Sequence, residues 1–223
     1  MKFQPFFQML KLYHTPISAN SRRVWITLLE KNLEFELIEK NLDGDQFQPE
    51  FLAISPFHHI PVVEDNGFAV IESLAILDYL EAQYPTPALL PTDAKALAIV
   101  RMVELVAINE LQPVLSPLIF PNSDNPEKTE AAKQKTATVL KFFEGLLGDN
   151  LYFGGDKLTL GDIVAGCNIS LLPIMGVGLD EYPRLKAWCD RLIQRPAWQA
   201  TQATAQMIVA FRERMQTLIA QRQ

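Results

Sequence analysis

Cysteine is scarce in this chain: two among 223 residues, Cys167 and Cys189. Two cysteines make no disulfide framework. Both lie in apolar, helix-like stretches, so buried free thiols in a reducing compartment are expected. Histidine is rarer than its function-bearing reputation needs: there are three, His58 and His59 are adjacent, and no Cys/His set has ligand spacing. No metal site is expected. The ten glycines form no phosphate-cradling loop. Long apolar runs are missing too. The longest uncharged stretch, Ile163–Leu179, contains Asn168, Ser170, Pro173 and three glycines, whereas a membrane span needs roughly 20 mostly apolar residues. Lys2 is followed by no sustained apolar core or cleavage site, so no signal peptide is expected and a cytoplasmic location is. Positive charge is in deficit, with 20 Lys and Arg against 26 Asp and Glu. No basic stripe is present, which argues against nucleic acid as a partner.

What remains is a soluble composition, 48% hydrophobic and 21% charged, long enough for one large domain or two small ones. The charge is uneven. Residues 1–85 carry six Lys and Arg against twelve Asp and Glu, and the rest of the chain is balanced at fourteen of each. Residues 1–8 read as an extension, with Met9 a sensible first residue. Leu10–Tyr13 alternates as a strand should, and Phe35–Ile38 is a second strand. Between them Ser21-Arg22-Arg23 opens a helix with Val24, Trp25, Leu28 and Leu29 on one face. Val62–Glu64 and Phe68–Ile71 flank Asp65-Asn66-Gly67, a hairpin signal. Glu72-Ser73 then opens a helix with Leu74, Ile76, Leu77 and Leu80 inward.

Proline punctuates a boundary at Tyr84-Pro85-Thr86-Pro87, and the signals beyond it are helical. The reading places one domain at 9–85, a linker at 86–94 and an all-helical domain at 95–223. Asp93 caps a helix running to about Leu115, where Pro113 kinks or ends it. Pro117–Pro126 reads as an irregular loop and Lys128–Leu147 as a long amphipathic helix. At Leu158-Thr159-Leu160-Gly161-Asp162-Ile163 the Thr and Asp make a capping box, with Leu158 and Ile163 as the staple. Further helices begin at Pro183 and near Pro196, and the tail from Gln206 is helix-compatible.

Taken together, Ser18-x-x-Ser21-Arg22, Ile60-Pro61, Glu72-Ser73 and the later capping box resemble, in order and interval, the cytosolic glutathione transferases of theta/delta-like or bacterial serine type. The resemblance covers nearly all of residues 10–200. It implies an α/β plus all-α architecture: a thioredoxin-like N-terminal domain, with Pro61 cis, followed by the helical domain. It also implies a homodimer, with glutathione as co-substrate, no other cofactor and no membrane association. The reaction expected of the family is attack of glutathione's thiolate on small hydrophobic electrophiles, a detoxifying conjugation.

A thiol attacks as thiolate, so the protein must lower its pKa. Ser18 matches the family's active-site serine; Ser21 and Asn20 are alternates, and Tyr13 lies too early. Ser21 is expected to serve as the helix cap, leaving Ser18 to face the sulfur. Ile60 and Pro61 would pair with the peptide backbone as an added strand does. Ser73, at a helix start, would take the γ-glutamyl carboxylate and Glu72 its ammonium. Gln46, His58 and His59 fall where relatives contact the glycyl carboxylate. Here Gln46 replaces a frequent His, and Ser55 replaces the common Asn before Pro56. The second-substrate pocket would draw on Asn109, Gln112, Leu115, Ile119 and Phe120. Two alternatives stand beside conjugation. One is glutathione-dependent reduction, peroxidation, isomerisation or dehalogenation on the same scaffold. The other is a non-enzymatic binding module. The loop Ile17-Ser18-Ala19 lacks both the cysteine of the omega-like branch and the Ser-Ser-Cys cluster of maleylacetoacetate isomerases.

Overall fold

The structure, a computed structural model, describes residues 9–42, 44–120, 125–204, 206–211 and 213. The extension at 1–8 and most of the tail lie outside the described residues. Two compact units are formed, one within Met1–Gln83 and Gln199–Gln223, the other Tyr84–Trp198.

In the first unit β1 (Leu10–His14), α1 (Ala19–Glu30) and β2 (Phe35–Glu39) precede a 3-10 turn (Asp45–Phe47) and α2 (Pro49–Leu52). Then come β3 (Val62–Asp65), β4 (Phe68–Ile71) and α3 (Ser73–Gln83). The sheet order is β2-β1-β3-β4. β1 and β2 are parallel, as a helical crossover between them requires; β3 is antiparallel to both its neighbours. Leu10, Leu12 and His14 point to the buried face of β1. The β3–β4 turn is Asn66-Gly67, both at positive φ (50° and 83°), the primed geometry whose twist matches the strands. α1 closes at Asn32 (φ 53°), where Leu33 N–H reaches Leu28 O and Asn32 N–H reaches Leu29 O, the paired bonds of a Schellman end.

Two readings of this unit need correction. α1 begins at Ala19, with Ser18 as its N-cap, and not at Ser21. Its buried side is also wider than Val24, Trp25, Leu28 and Leu29: Ser21, Arg23, Ile26 and Thr27 are buried, while Trp25 and Leu29 are half-exposed. A fully buried arginine defeats periodicity because it bonds to a side chain on another element, the Ser73 hydroxyl, which a hydrophobic pattern cannot see.

In the second unit α4 (Ala94–Val106) is capped by Asp93, which accepts from Lys95 and Ala96 N–H at 3.0 and 2.9 Å. A π-turn (Ala107–Leu111) leads into α5 (Gln112–Ile119), so the long helix expected to reach Leu115 is interrupted earlier. Gln112 N–H bonds to Ala107 O, one residue wider than an α-helix, just before Pro113, which has no N–H to offer. α5 runs through Pro117 to Ile119, correcting the start of the loop placed at Pro117–Pro126, of which residues 121–124 lie outside the described residues; the missing N–H removes only the bond to the Pro113 carbonyl. α6 (Pro126–Leu147), α7 (Leu160–Ile169), a 3-10 turn (Leu172–Met175), α8 (Pro183–Ile193) and α9 (Pro196–Ala200) follow. Every residue of α7 is buried. Gly161 lets it meet α4 closely: a Cβ there would lie 3.2 Å from Val100 O. Cys167 and Cys189 are buried free thiols.

Candidate active site

Register alone gathers the candidate residues of the first unit. Tyr13 lies opposite Val62, and Val62 opposite Ile71. Past that row, β1 runs out into His14–Ser18, β3 is entered from Ile60-Pro61, and β4 runs out into Glu72-Ser73. All three segments therefore sit at one end of the sheet. The Ile60–Pro61 peptide is cis.

Ser18 is in extended backbone (φ −77°, ψ 121°), and its Oγ accepts from Ser21 N–H at 3.3 Å. That bond uses an oxygen lone pair and leaves the hydroxyl hydrogen to donate elsewhere. Ser21, expected to be the cap, is 1% exposed and accepts from Thr15 N–H at 3.2 Å. It holds the β1–α1 loop shut from inside. Asn20 is half-buried, with Oδ1 out of water. The Tyr13 hydroxyl donates to Glu64 Oε2 at 3.1 Å, and its pKa is raised by burial and by the Glu64 carboxylate. A phenol so engaged is poorly placed to serve a sulfur anion. His14, at the strand end, is 2% exposed and edge-on to Trp25. Burial brings its pKa down to about 4, so it is a neutral ring near pH 7.

Ser73 is the first residue of α3 and is buried. The opening N–H groups of a helix have no acceptor within it, so this end suits a carboxylate. Arg23 Nη1 donates to Ser73 Oγ at 3.3 Å. Eight residues further along each helix, Lys31 Nζ pairs with Glu81 Oε2 at 2.6 Å. Equal spacing in the same direction means that α1 and α3 run parallel. Their positive ends, at Ser18 and at Ser73, consequently face the same way. Glu72 has φ +66°, sparsely populated for a residue with a side chain and held only where surroundings dictate it. Its Oε1 is 3.1 Å from His59 Nδ1.

Gln46 is turned onto its own loop, accepting from Gly44 N–H at 3.2 Å and donating to Leu42 O at 3.4 Å. His58 is exposed and its ring lies 4.9 Å from that of Phe47. Of the residues expected to meet the second substrate, Leu115 is buried, Gln112, Ile119 and Phe120 are half-exposed, and Asn109 is exposed on the π-turn. An open groove of about 620 Å³ in the second unit is lined by Val106, Glu110, Lys135, Val139 and Phe142, among others, and by none of those five.

The family model described as glutathione S-transferase, N-terminal domain, matches residues 12–88, and that of the C-terminal domain matches residues 106–196. Glutathione S-transferase 3 of Zea mays is 34% identical over 212 residues, covering 87% of this chain and 93% of the relative. The chain belongs to the glutathione S-transferase family. Among solved transferases, F7 of Populus trichocarpa superposes with TM-score 0.76 at 30% identity, covering 86% of this chain and 97% of that one. A delta-class transferase of Nilaparvata lugens gives 0.78 at 27%, covering 92% and 97%. In transferase terms, sequence reasoning missed two buried cations, Arg23 and Lys31. Their one signal was position: Arg23 on the buried side of α1 and Lys31 at its C-cap lie eight apart, as do their partners Ser73 and Glu81.

Proposed function

We propose that this transferase conjugates glutathione to small hydrophobic electrophiles and that Ser18 lowers the thiol pKa. The observation that carries the assignment is the hydrogen-bond division between Ser18 and Ser21. Ser18 Oγ takes the Ser21 N–H and keeps its own hydrogen, whereas Ser21 is sealed against Thr15. A thiolate near Ser18 would receive that hydrogen and the potential of the α1 end together. The γ-glutamyl carboxylate would rest on Ser73 and the α3 N-terminus, its ammonium on Glu72, and the peptide backbone beside Ile60-Pro61. Gln46 and His58 would line the glycyl end. Asn109, Gln112, Leu115, Ile119 and Phe120 would supply the electrophile's pocket. The Ser18-x-x-x-Arg22 spacing favours the theta/delta-like or bacterial serine type, and a cytoplasmic homodimer is the expected setting.

The test is a titration of thiolate absorbance in the glutathione complex of wild type, Ser18→Ala, Asn20→Ala and Ser21→Ala, beside a panel of conjugation, reduction and isomerisation assays. A donor to an anion in a shielded site contributes about 2.7–4 kcal/mol, and a partly solvated one less. Ser18→Ala is expected to slow conjugation at neutral pH by roughly tenfold to a hundredfold, with the deficit shrinking as pH rises. An unmoved midpoint in Ser18→Ala, with a raised one in Ser21→Ala or Asn20→Ala, transfers the role to that neighbour.

A further inference from the structure

The turn before Pro61 is tethered to the protein core by one side chain. Ser55, fully buried, donates its N–H to the carbonyl of buried Phe51 at 2.9 Å. Its own carbonyl accepts His58 N–H at 2.8 Å, and its hydroxyl donates to the His59 carbonyl at 2.9 Å. His58 at φ +51° completes the turn, and the turn delivers the His59 ring to Glu72, Nδ1 to Oε1 at 3.1 Å. Sequence position groups His59 with Gln46 and His58 at the glycyl end. Its contact lies with the other end.

We infer that His59 is a positioning residue for Glu72, fixing one carboxylate oxygen so that the other is aimed at the γ-glutamyl ammonium. This rests on the reading of Glu72 as the ammonium's partner. Glu72 needs such a hold. Its side chain is 65% exposed, and a free glutamate in water loses rotamer entropy when it orders on a ligand. With Nδ1 carrying the hydrogen, the imidazole donates to Oε1 and leaves Oε2 for the ammonium. An exposed pair held by nothing else contributes little. The chain from Phe51 through Ser55 to the His59 backbone is what makes this one a support, since the turn's entropy is already lost before ligand arrives. The interaction acts on ground-state binding far from the sulfur, so it should appear in KM for glutathione and not in kcat.

The test is a double-mutant cycle on the full chain, with steady-state kinetics in glutathione and thermal melting as the folding control. His59→Ala is expected to raise KM for glutathione three- to tenfold with kcat within twofold. His59→Gln, which keeps a donor, should return KM to within twofold of wild type, and Ser55→Ala should fall between. In a Glu72→Ala background, His59→Ala should change KM by less than twofold. The same multiple in both backgrounds would mean that His59 touches glutathione directly, and no change in either would mean that it does nothing; each overturns the inference. Wild-type protein giving no calorimetric heat with millimolar glutathione would overturn this inference and the proposed function together, whereas additivity overturns this inference alone.

Discussion

Replacing Asp162 tests how the helical unit is held together. The carboxylate is fully buried and collects four donors: Phe153 N–H and Trp188 Nε1–H on Oδ1, both at 2.8 Å, and Thr159 N–H and Oγ–H on Oδ2, at 2.7 and 2.6 Å. It thereby joins the residue 153 loop, the start of α7 and the middle of α8. The Phe153 ring packs edge-on between Phe143 and Trp188, leaving little room for water to take the carboxylate's place. Asp162→Ala strands at least the three N–H donors, each at about 1–3 kcal/mol. Allowing for relaxation, a loss of about 3–5 kcal/mol is expected. Asp162→Asn keeps the two bonds to Oδ1 but sets an amide N–H against Thr159 N–H, and about 2–3 kcal/mol is expected. Urea unfolding followed by tryptophan fluorescence and circular dichroism gives both numbers, from midpoints at unchanged slope. Acid extends the comparison. Burial, outweighing the hydrogen bonds, pushes the Asp162 pKa up to about 6 from 3.8. As pH falls through about 6 the folded chain takes up the proton before the unfolded chain does, so the wild type gains on Asp162→Asn in that window. If Asp162→Ala costs only the ~1 kcal/mol of an ordinary lost cap, the carboxylate is a cap and nothing more.

His14 works in the opposite direction. Because burial lowers its pKa to about 4 from 6.5, the unfolded chain alone is protonated between those values. The first unit should lose stability as pH falls through that window, and His14→Gln should remove that dependence from urea midpoints measured across it; parallel profiles would refute the claim. For the proposed dimer, sedimentation at micromolar concentration should return about twice the 25.2 kDa of one chain, and a single-chain mass would reject it.

The four strands and most of the helices were legible because each rests on a local code, whereas their arrangement as a thioredoxin-like sheet came from the resemblance. Asp65-Asn66-Gly67 signals a hairpin, the alternation across Leu10–Tyr13 marks a strand (which the structure extends by one residue, to His14), and Thr159 with Asp162 is a reciprocal cap readable from two letters. The candidate site was legible only in part. Ile60-Pro61 and Glu72-Ser73 are local pairs, and the sheet brings them to one end as expected. Arg23 and Lys31 were not, since a pattern read for hydrophobicity scores a buried cation as surface until its partner is known. Nor was the π-turn, which depends on Pro113 withholding a hydrogen bond from a turn already packed against other helices. The error at Ser18 and Ser21 has the same origin. Both serines suit a helix cap, and the choice is made by the Thr15 N–H, which takes Ser21 inward and leaves the capping position three residues earlier.

That choice bears on the chemistry. An N-capping serine has its oxygen on a backbone N–H and its own hydrogen still to give, so on the proposed assignment the geometry that starts α1 would also supply the donor. The same economy answers the charge imbalance. Residues 1–85 carry twice as many acids as bases, a poor field for an anion at a distance. Helix ends act within about a turn, and the Debye length at physiological salt is only ~8 Å, so the sheet end can be positive at Ser18 and Ser73 while the half-chain is negative. A simple anion arriving there would meet the Glu72 carboxylate and be repelled. On the proposed assignment a γ-glutamyl group, with an ammonium beside its carboxylate, would satisfy Glu72 and the α3 end at once. The acidic residue that weakens general anion binding would then be the one that selects for a zwitterionic head.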